Sequence, residues 1–457
     1  MILCISHTAK KVSFLFIIFF VFTLQSCTSG DGETVDNENS IESNQPEQTT
    51  TATTNTPQQA YKRTINKKFN FNVYIENSGS MDGYVTGRTE FENCVYNLVS
   101  DIKHRSFSDS LNLYYINSKP ITWKKNADIN QLSEFIERLE PTTFKQRSNG
   151  RGTSDLHKIL SMVVDKVDNS NVGVVVSDFI FSPGRGTDAV DYLVSQQTNI
   201  KSTFATKLSK LNMSTLVLQC NSNFAGKYYD KDNNAADFSN APIKRPYYIM
   251  FIGPDMAIKE FIDNTDFERL KERGYKKMYY QFMHGINPAK YTPTKVMRDR
   301  LGTYDIEMPA TKGRINKAEM GNSNPKFQLT VAVDFSGIVA DQNYFLKSAN
   351  YEIPPNYSIK IEAIKDSTKI ETKGYTHLLK LGTNELRTQP VFIRLKDTKP
   401  EWINISNSDN DANIRSKEQQ EKTFGIKYLL QGVEDAYKMD KGNNLYFFDT
   451  KIMVTKR

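Results

Sequence analysis

The stretch YIENSGSMDGYV, residues 74–85, decides how the rest of the chain is read. It continues the apolar alternation of FNFNV, so a strand is expected to run into a turn dense in carboxylates, hydroxyls and glycines. A serine nucleophile, a hard-cation site and a plain polar turn can all begin from such a stretch. The elements around it separate the three.

Downstream, TEFENCVYNLVSDIKH carries Phe91, Val95, Leu98, Val99 and Ile102 at helical spacing. LNLYYINSKPITW predicts two short strands about a turn at Asn117 to Pro120, and INQLSEFIERLE a short helix that Pro141 ends. SDLHKILSMVVDKV sets Leu156, Ile159, Leu160, Val163 and Val167 on one helical face. NVGVVVSDFIF is nearly continuous in apolar residues, as a strand covered on both faces of a parallel sheet must be. A helix is expected over about 187–211, then buried strands in STLVLQC and YYIMFIG, then a helix in DMAIKEFID. Strands alternating with helices predict an α/β class, with a doubly wound, Rossmann-like sheet over residues 67–270. No G-x-G-x-x-G follows the first strand and no P-loop is present, which speaks against those nucleotide-binding types.

Ligands of open α/β sheets bind at the carboxyl ends of the strands. Three polar clusters fall there or in the adjoining loops: ENSGSM with Glu76, Ser78 and Ser80; GRGTSD with Thr153 and Asp155; and VVVSDFIF with Asp178. Carboxylates and hydroxyls without His or Cys form a hard-oxygen set suited to Mg²⁺, Mn²⁺ or Ca²⁺. In order and in placement they resemble the metal-ion-dependent adhesion site of von Willebrand factor A domains, D-x-S-x-S followed by a distant Thr and a distant Asp. The resemblance covers about residues 69–270 and implies metal ligation by Ser78, Ser80, Thr153 and Asp178. Glu76 stands where that family has aspartate. Its extra methylene moves the carboxylate by about 1.5 Å, which Ca²⁺ tolerates better than Mg²⁺, unless glutamate replaces an aspartate–water pair. Asp82 and Asp155 are near enough in sequence to adjust the site.

Other chemistries fare less well. NSGSM is not G-x-S-x-G, and no His follows a later strand in a matching loop; His157 reads as a polar helix-face residue. A hydroxyl-rich Mg²⁺ site can polarise a phosphoryl oxygen, but a positioned base or second metal is not evident, so no enzyme is expected. DKDNNAADFSNA, 230–241, lacks the Gly and Glu of a calcium loop, and SNSDNDAN, 406–413, reads as a solvated loop. Tyr247, Tyr248, Tyr279 and Tyr280 read as packing residues. The five histidines are scattered, so zinc is not indicated. The net charge of +7 is dispersed among acids, and nucleic-acid binding is not inferred.

Lys10 and Lys11 precede an apolar run of 13 residues, Val12 to Leu24. That is short of the roughly 20 needed to span a bilayer and suits a signal-peptide core. Leu24, Gln25, Ser26 and Cys27 resemble a bacterial lipobox, which implies removal of residues 1–26 and lipidation of Cys27. Residues 27–66, rich in Thr, Asn, Gln, Glu and Ser, read as a disordered tether. An oxidising compartment would permit a bridge between Cys94 and Cys220, but both fall in apolar segments and read rather as buried free thiols. Residues 271–325 read as a connector with one or two strands. FQLTVAVDF, YSIKIEAIK, YTHLLKL, PVFIRLK, EWINIS and LYFFDTKIMVTK predict a β-sandwich-like accessory domain over 326–457, interrupted by a helix with Ile426, Leu430, Val433 and Tyr437 on one face. The expectation is a lipid-anchored module of the bacterial envelope, at the outer membrane, that binds a protein ligand through a divalent cation and an acidic group. A metal-independent scaffold is the alternative.

Overall fold

Strand β1 (Phe69–Glu76) forms where the alternation ends, and every residue from Phe71 to Glu76 is buried, so it lies inside a sheet covered on both faces. The computed structural model describes residues 67–148, 150–151, 155–282, 290–295, 301–322, 326–336, 338, 342–364, 373–441 and 446–457. In chain order β1 is followed by helix α1 (Glu90–His104), β2 (Ser108–Ile116), β3 (Pro120–Lys124), α2 (Ile129–Glu137), α3 (Pro141–Gln146), α4 (Leu156–Lys166), β4 (Asn171–Ser177) and α5 (Ala189–Leu208). Then come β5 (Met213–Phe224), a small hairpin of β6 (Lys227–Tyr229) and β7 (Ala235–Asp237), β8 (Ile243–Pro254), α6 (Asp255–Asn264), α7 (Phe267–Lys271) and β9 (Tyr275–Phe282).

Local chemistry starts these helices. Thr89 and Glu92 form a capping box on α1, and Asp128 and Gln131 form another on α2. α2 stops at Glu137, capped by Arg138, so Pro141 does not end it as its sequence position suggested. Pro141 opens α3 at the first helical position, where its missing N–H is not needed.

The chain is α/β, built on a mixed seven-stranded sheet in the order β3-β2-β1-β4-β8-β5-β9. β1 runs parallel to β2 and β4, as a doubly wound sheet requires. Beyond β4 the pairing departs from that expectation: β4–β8, β8–β5 and β5–β9 are all antiparallel. The link from β5 to β8 holds only the β6–β7 hairpin and no crossover helix, and antiparallel neighbours need none. β9 falls in the segment expected to be a connector, so the sheet extends past residue 270.

A second core gathers around a four-stranded and a five-stranded sheet. These are built from β10 (Lys290–Pro293), β11 (Thr303–Ile306), β12 (Arg314–Glu319), β13 (Phe327–Asp334), β14 (Tyr351–Glu352), β15 (Ser358–Ala363), β16 (His377–Thr383), β17 (Gln389–Lys396) and β20 (Tyr446–Lys456), with β18 (Asn407–Ser408) and β19 (Thr423–Phe424) pairing apart. Residues 402–437, expected inside this half, pack against the first core instead. EWINIS is a helical turn, α9 (Trp402–Ile405), after α8 (Gln342–Leu346) and before α10 (Lys417–Gln420) and α11 (Ile426–Lys441). Ile403, Phe424, Ile426, Leu430, Val433 and Tyr437 are buried in the first core, with α11 laid along α5. The docking is pinned by Gln197 Nε2 donating to Asp435 at 3.0 Å, by Thr215 Oγ1 and Tyr437 Oη at 2.9 Å, and by Trp402 Nε1 donating to the Met278 carbonyl at 3.0 Å. Among the described residues no helix is long and apolar enough to cross a membrane. The apolar run at 12–24, Cys27 and the tether lie outside them.

Gly432, inside α11, tests this docking. Helix propensity alone favours alanine there by about 0.5–1 kcal/mol. A Cβ at that position would, however, stand 2.6 Å from the Gln197 carbonyl oxygen of α5. Gly432→Ala is expected to destabilise the fold, by about 1–3 kcal/mol of overpacking, in a urea titration.

Candidate functional site

The parallel pairing of β1 and β4 sets Ile75 opposite Val176, so both strands end together. Neighbouring strands lie about 4.8 Å apart, which brings Glu76, Ser177 and Asp178 to one carboxyl edge. Glu76 and Asp178 are each 1% exposed. The Ser177 hydroxyl donates to Glu76 Oε2 and accepts the Phe179 N–H at 2.8 Å. Phe179 holds φ at +49°, a left-handed conformation that costs a bulky residue on the order of 1 kcal/mol or more; its ring stacks on Tyr248 with centroids 5.8 Å apart. That twist turns the Ile180 N–H onto Asp178 Oδ1 at 3.2 Å. Asp178 Oδ2 is buried without a hydrogen bond of good geometry, although the Ser80 hydroxyl lies near enough to favour its charged form.

After Glu76 the chain makes a 3₁₀ turn, Gly79–Tyr84, which brings Ser78 Oγ within 3.0 Å of Ser80 Oγ. Arg151 fastens this turn from outside. Its Nε donates to the Asn77 carbonyl at 3.0 Å, Nη2 to the Ser78 carbonyl at 2.8 Å, and both Nη atoms to the Asp82 carboxylate. From inside, the Asn77 side-chain amide donates to the carbonyls of Phe144 and Arg147 at 3.2 and 2.9 Å. The β6–β7 hairpin closes the third side, with the Ala225 N–H on the Gly83 carbonyl at 2.8 Å. Two glycines make that approach possible: a Cβ on Gly226 would sit 2.7 Å from Gly83 Cα, and one on Gly83 would sit 2.3 Å from the Phe224 ring.

Of the residues singled out from the sequence, the structure brings Glu76, Ser78, Ser80 and Asp178 to one place. Thr153 lies outside the described residues. Asp82 is taken up by Arg151, and Asp155 caps α4 by accepting the Lys158 N–H at 3.1 Å. His157 Nε2 meets Thr203 Oγ1 at 3.0 Å on the helix surface.

Burial, and then the charge of Glu76, push the Asp178 carboxyl up to about 7. The Ser80 hydroxyl, the Ile180 N–H and the charge of Arg245 oppose the rise. Two crowded carboxylates, one with an oxygen lacking a well-formed hydrogen bond, and two adjacent hydroxyls make a donor set that fits a hard divalent cation. Glu76, Ser78, Ser80 and Asp178 would hold it, and its charge would offset the mutual repulsion of the two acids.

Sequence reasoning missed Arg245. It is wholly buried at the start of β8, with its guanidinium carbon 4.5 Å from the centre of the Tyr228 ring. Nη1 donates to the Gln419 and Gln420 carbonyls at 3.4 and 3.2 Å. Tyr228 in turn donates to Asp411 Oδ2 at 2.5 Å, and the Lys231 N–H reaches Asp411 Oδ1 at 2.9 Å. Asp411 is 1% exposed, so SNSDNDAN is not the solvated loop its composition suggested; its aspartate is captured by the hairpin. The available signal was a lone arginine inside IKRPYYIMFIG, since a charge in an apolar strand must find partners. Tyr247, Tyr248, Tyr279 and Tyr280 are buried packing residues, and 230–241 holds the turn and second strand of the hairpin.

No protein-family model, no curated protein and no solved structure matches this chain.

The raised pKa of Asp178 gives a signed pH dependence. In metal-free buffer the folded state holds a proton that the unfolded chain releases near pH 4, so stability from this group falls as pH rises towards 7 and is lost above it. The melting temperature of Asp178→Asn minus that of the wild type should therefore grow as pH increases from about 4 to 8. Scanning calorimetry in chelator measures the difference; a difference independent of pH would contradict the buried, crowded carboxyl.

Proposed function

We propose that this chain is a lipid-anchored binding protein of the bacterial cell envelope, at the outer membrane. In this proposal its α/β region is a von Willebrand A-type domain that holds one divalent cation on Glu76, Ser78, Ser80, Asp178 and Thr153. An acidic group of a protein ligand completes the cation's shell. The β-rich half is a sandwich-like accessory domain. The observation that carries the proposal is Oδ2 of Asp178, buried without a well-formed hydrogen bond beside Glu76 at the edge where two hydroxyls converge. A buried carboxylate oxygen short of hydrogen bonds costs up to several kcal/mol in principle, and a cation removes that cost. The strand order β3-β2-β1-β4 around this edge, with β1 central and parallel to both neighbours, supports the domain type. The lipobox-like LQSC at residues 24–27 supports the anchor.

Binding rather than turnover fits the surroundings. Asp82 and His157, the extra acid and base nearest in sequence, are engaged by Arg151 and Thr203. The cation would supply electrostatic attraction for a carboxylate. Glu76 and Asp178 would set the charge of the site, and Arg151 would keep the serine turn in place.

One observation favours a metal-independent scaffold as the second reading. Glu76 already accepts from Ser177, and Ser78 and Ser80 already contact each other, so the cluster has cohesion of its own.

Calorimetric titration of the purified chain with Mg²⁺, Mn²⁺ and Ca²⁺ separates the two. The expected outcome is uptake of one ion per chain, weakened at least about 100-fold by Asp178→Ala, the scale of losing a ligand or its support. Uptake of none of the three by folded wild-type protein would remove the cation from the proposal and leave the scaffold.

A further inference from the structure

Cys94 on α1 and Cys220 on β5 are 126 positions apart, yet their sulfurs stand 3.9 Å from each other as free thiols. Neither is exposed at all. They sit where two elements bracing the serine turn meet. α1 follows the turn directly, and β5 ends in Phe224, whose ring packs on Gly83. The surrounding contacts already bind the two elements: the Phe91 N–H donates to Ser222 Oγ at 3.0 Å, and the Asn223 N–H to Glu90 Oε2 at 2.9 Å. Both thiols also border the hydroxyl of Tyr247, which is itself fully buried.

We propose that Cys94 and Cys220 are the two ends of a disulfide that is closed during folding and sealed by it. A disulfide needs its sulfurs about 2.05 Å apart, so closure asks for the two sulfurs to approach by roughly 2 Å. The electron balance is that of exchange with a disulfide oxidant such as oxidised glutathione. The two thiols lose two protons and two electrons, and one S–S bond forms in the protein. One S–S bond breaks in the oxidant, which leaves as two thiols. Access decides when this happens. Exchange requires a thiolate that can line up with an external disulfide, and neither sulfur can be approached once α1 has docked on the sheet. The oxidised chain therefore locks the bond in, and the chain folded in reductant keeps both thiols. The bond would tie the helix after the serine turn to the strand before the hairpin. A closed loop of this length constrains the unfolded chain strongly.

The test is non-reducing peptide mapping of the full chain, refolded with oxidised glutathione and then unfolded and alkylated. The expected result is a cross-linked peptide pair containing Cys94 and Cys220. A second sample, folded in reductant and exposed to the same oxidant only afterwards, should yield both residues alkylated. Alkylation of both in the first sample overturns the disulfide, and cross-linking at equal rate in the second overturns the sealing. Thermal melting adds an independent measure. The oxidised wild type should melt roughly 5–10 °C above its reduced form, while Cys94→Ala should melt alike with and without reductant. Equal melting of the two wild-type forms would also overturn the proposal.

Discussion

Everything around the candidate site depends on one pairing, the parallel register of β1 with β4. Two parallel strands that end at the same level deliver their following residues to the same edge. Here those residues are Glu76 from one strand and Ser177 and Asp178 from the other. Glu76 and Asp178 are buried at this edge, while Ser80 beside them is partly exposed. Burial of the two acids raises the Asp178 carboxyl and strengthens the effect of Glu76 on it.

The turn that carries Ser78 and Ser80 is held by three separate parts of the chain. Arg151 grips its carbonyls and Asp82, the Asn77 amide binds the end of α3, and the β6–β7 hairpin presses on Gly83. The hairpin is itself anchored by Tyr228 to Asp411, in a segment that lies far along the chain and returns to the first core. Arg245 joins the same assembly from beneath, between the Tyr228 ring and the carbonyls of Gln419 and Gln420. A buried guanidinium is tolerated only where rings and carbonyls replace its water. The α/β sheet and residues 402–437 consequently form one structural unit around the turn, although the second core separates them in sequence.

Periodicity and local chemistry made much of this legible from the sequence. The strand at 69–76, the helix with Phe91, Val95, Leu98, Val99 and Ile102 inward, and the apolar run ending in Asp178 follow from side-chain spacing, which needs only the neighbouring residues. The grouping of Glu76, Ser78, Ser80 and Asp178 was readable too, because strand ends of an α/β sheet share an edge. Tertiary structure alone decided the rest. The antiparallel insertion of β8 between β4 and β5 depends on which buried strand pairs with which, and hydrophobicity does not encode partner choice. The return of α11 to α5 rests on the fit at Gly432, visible only across 200 and more residues of chain. The burial of Arg245 and Asp411 reversed what their polarity suggested, since a polar side chain stays inside when distant groups supply its hydrogen bonds, and those groups are brought near only by the fold.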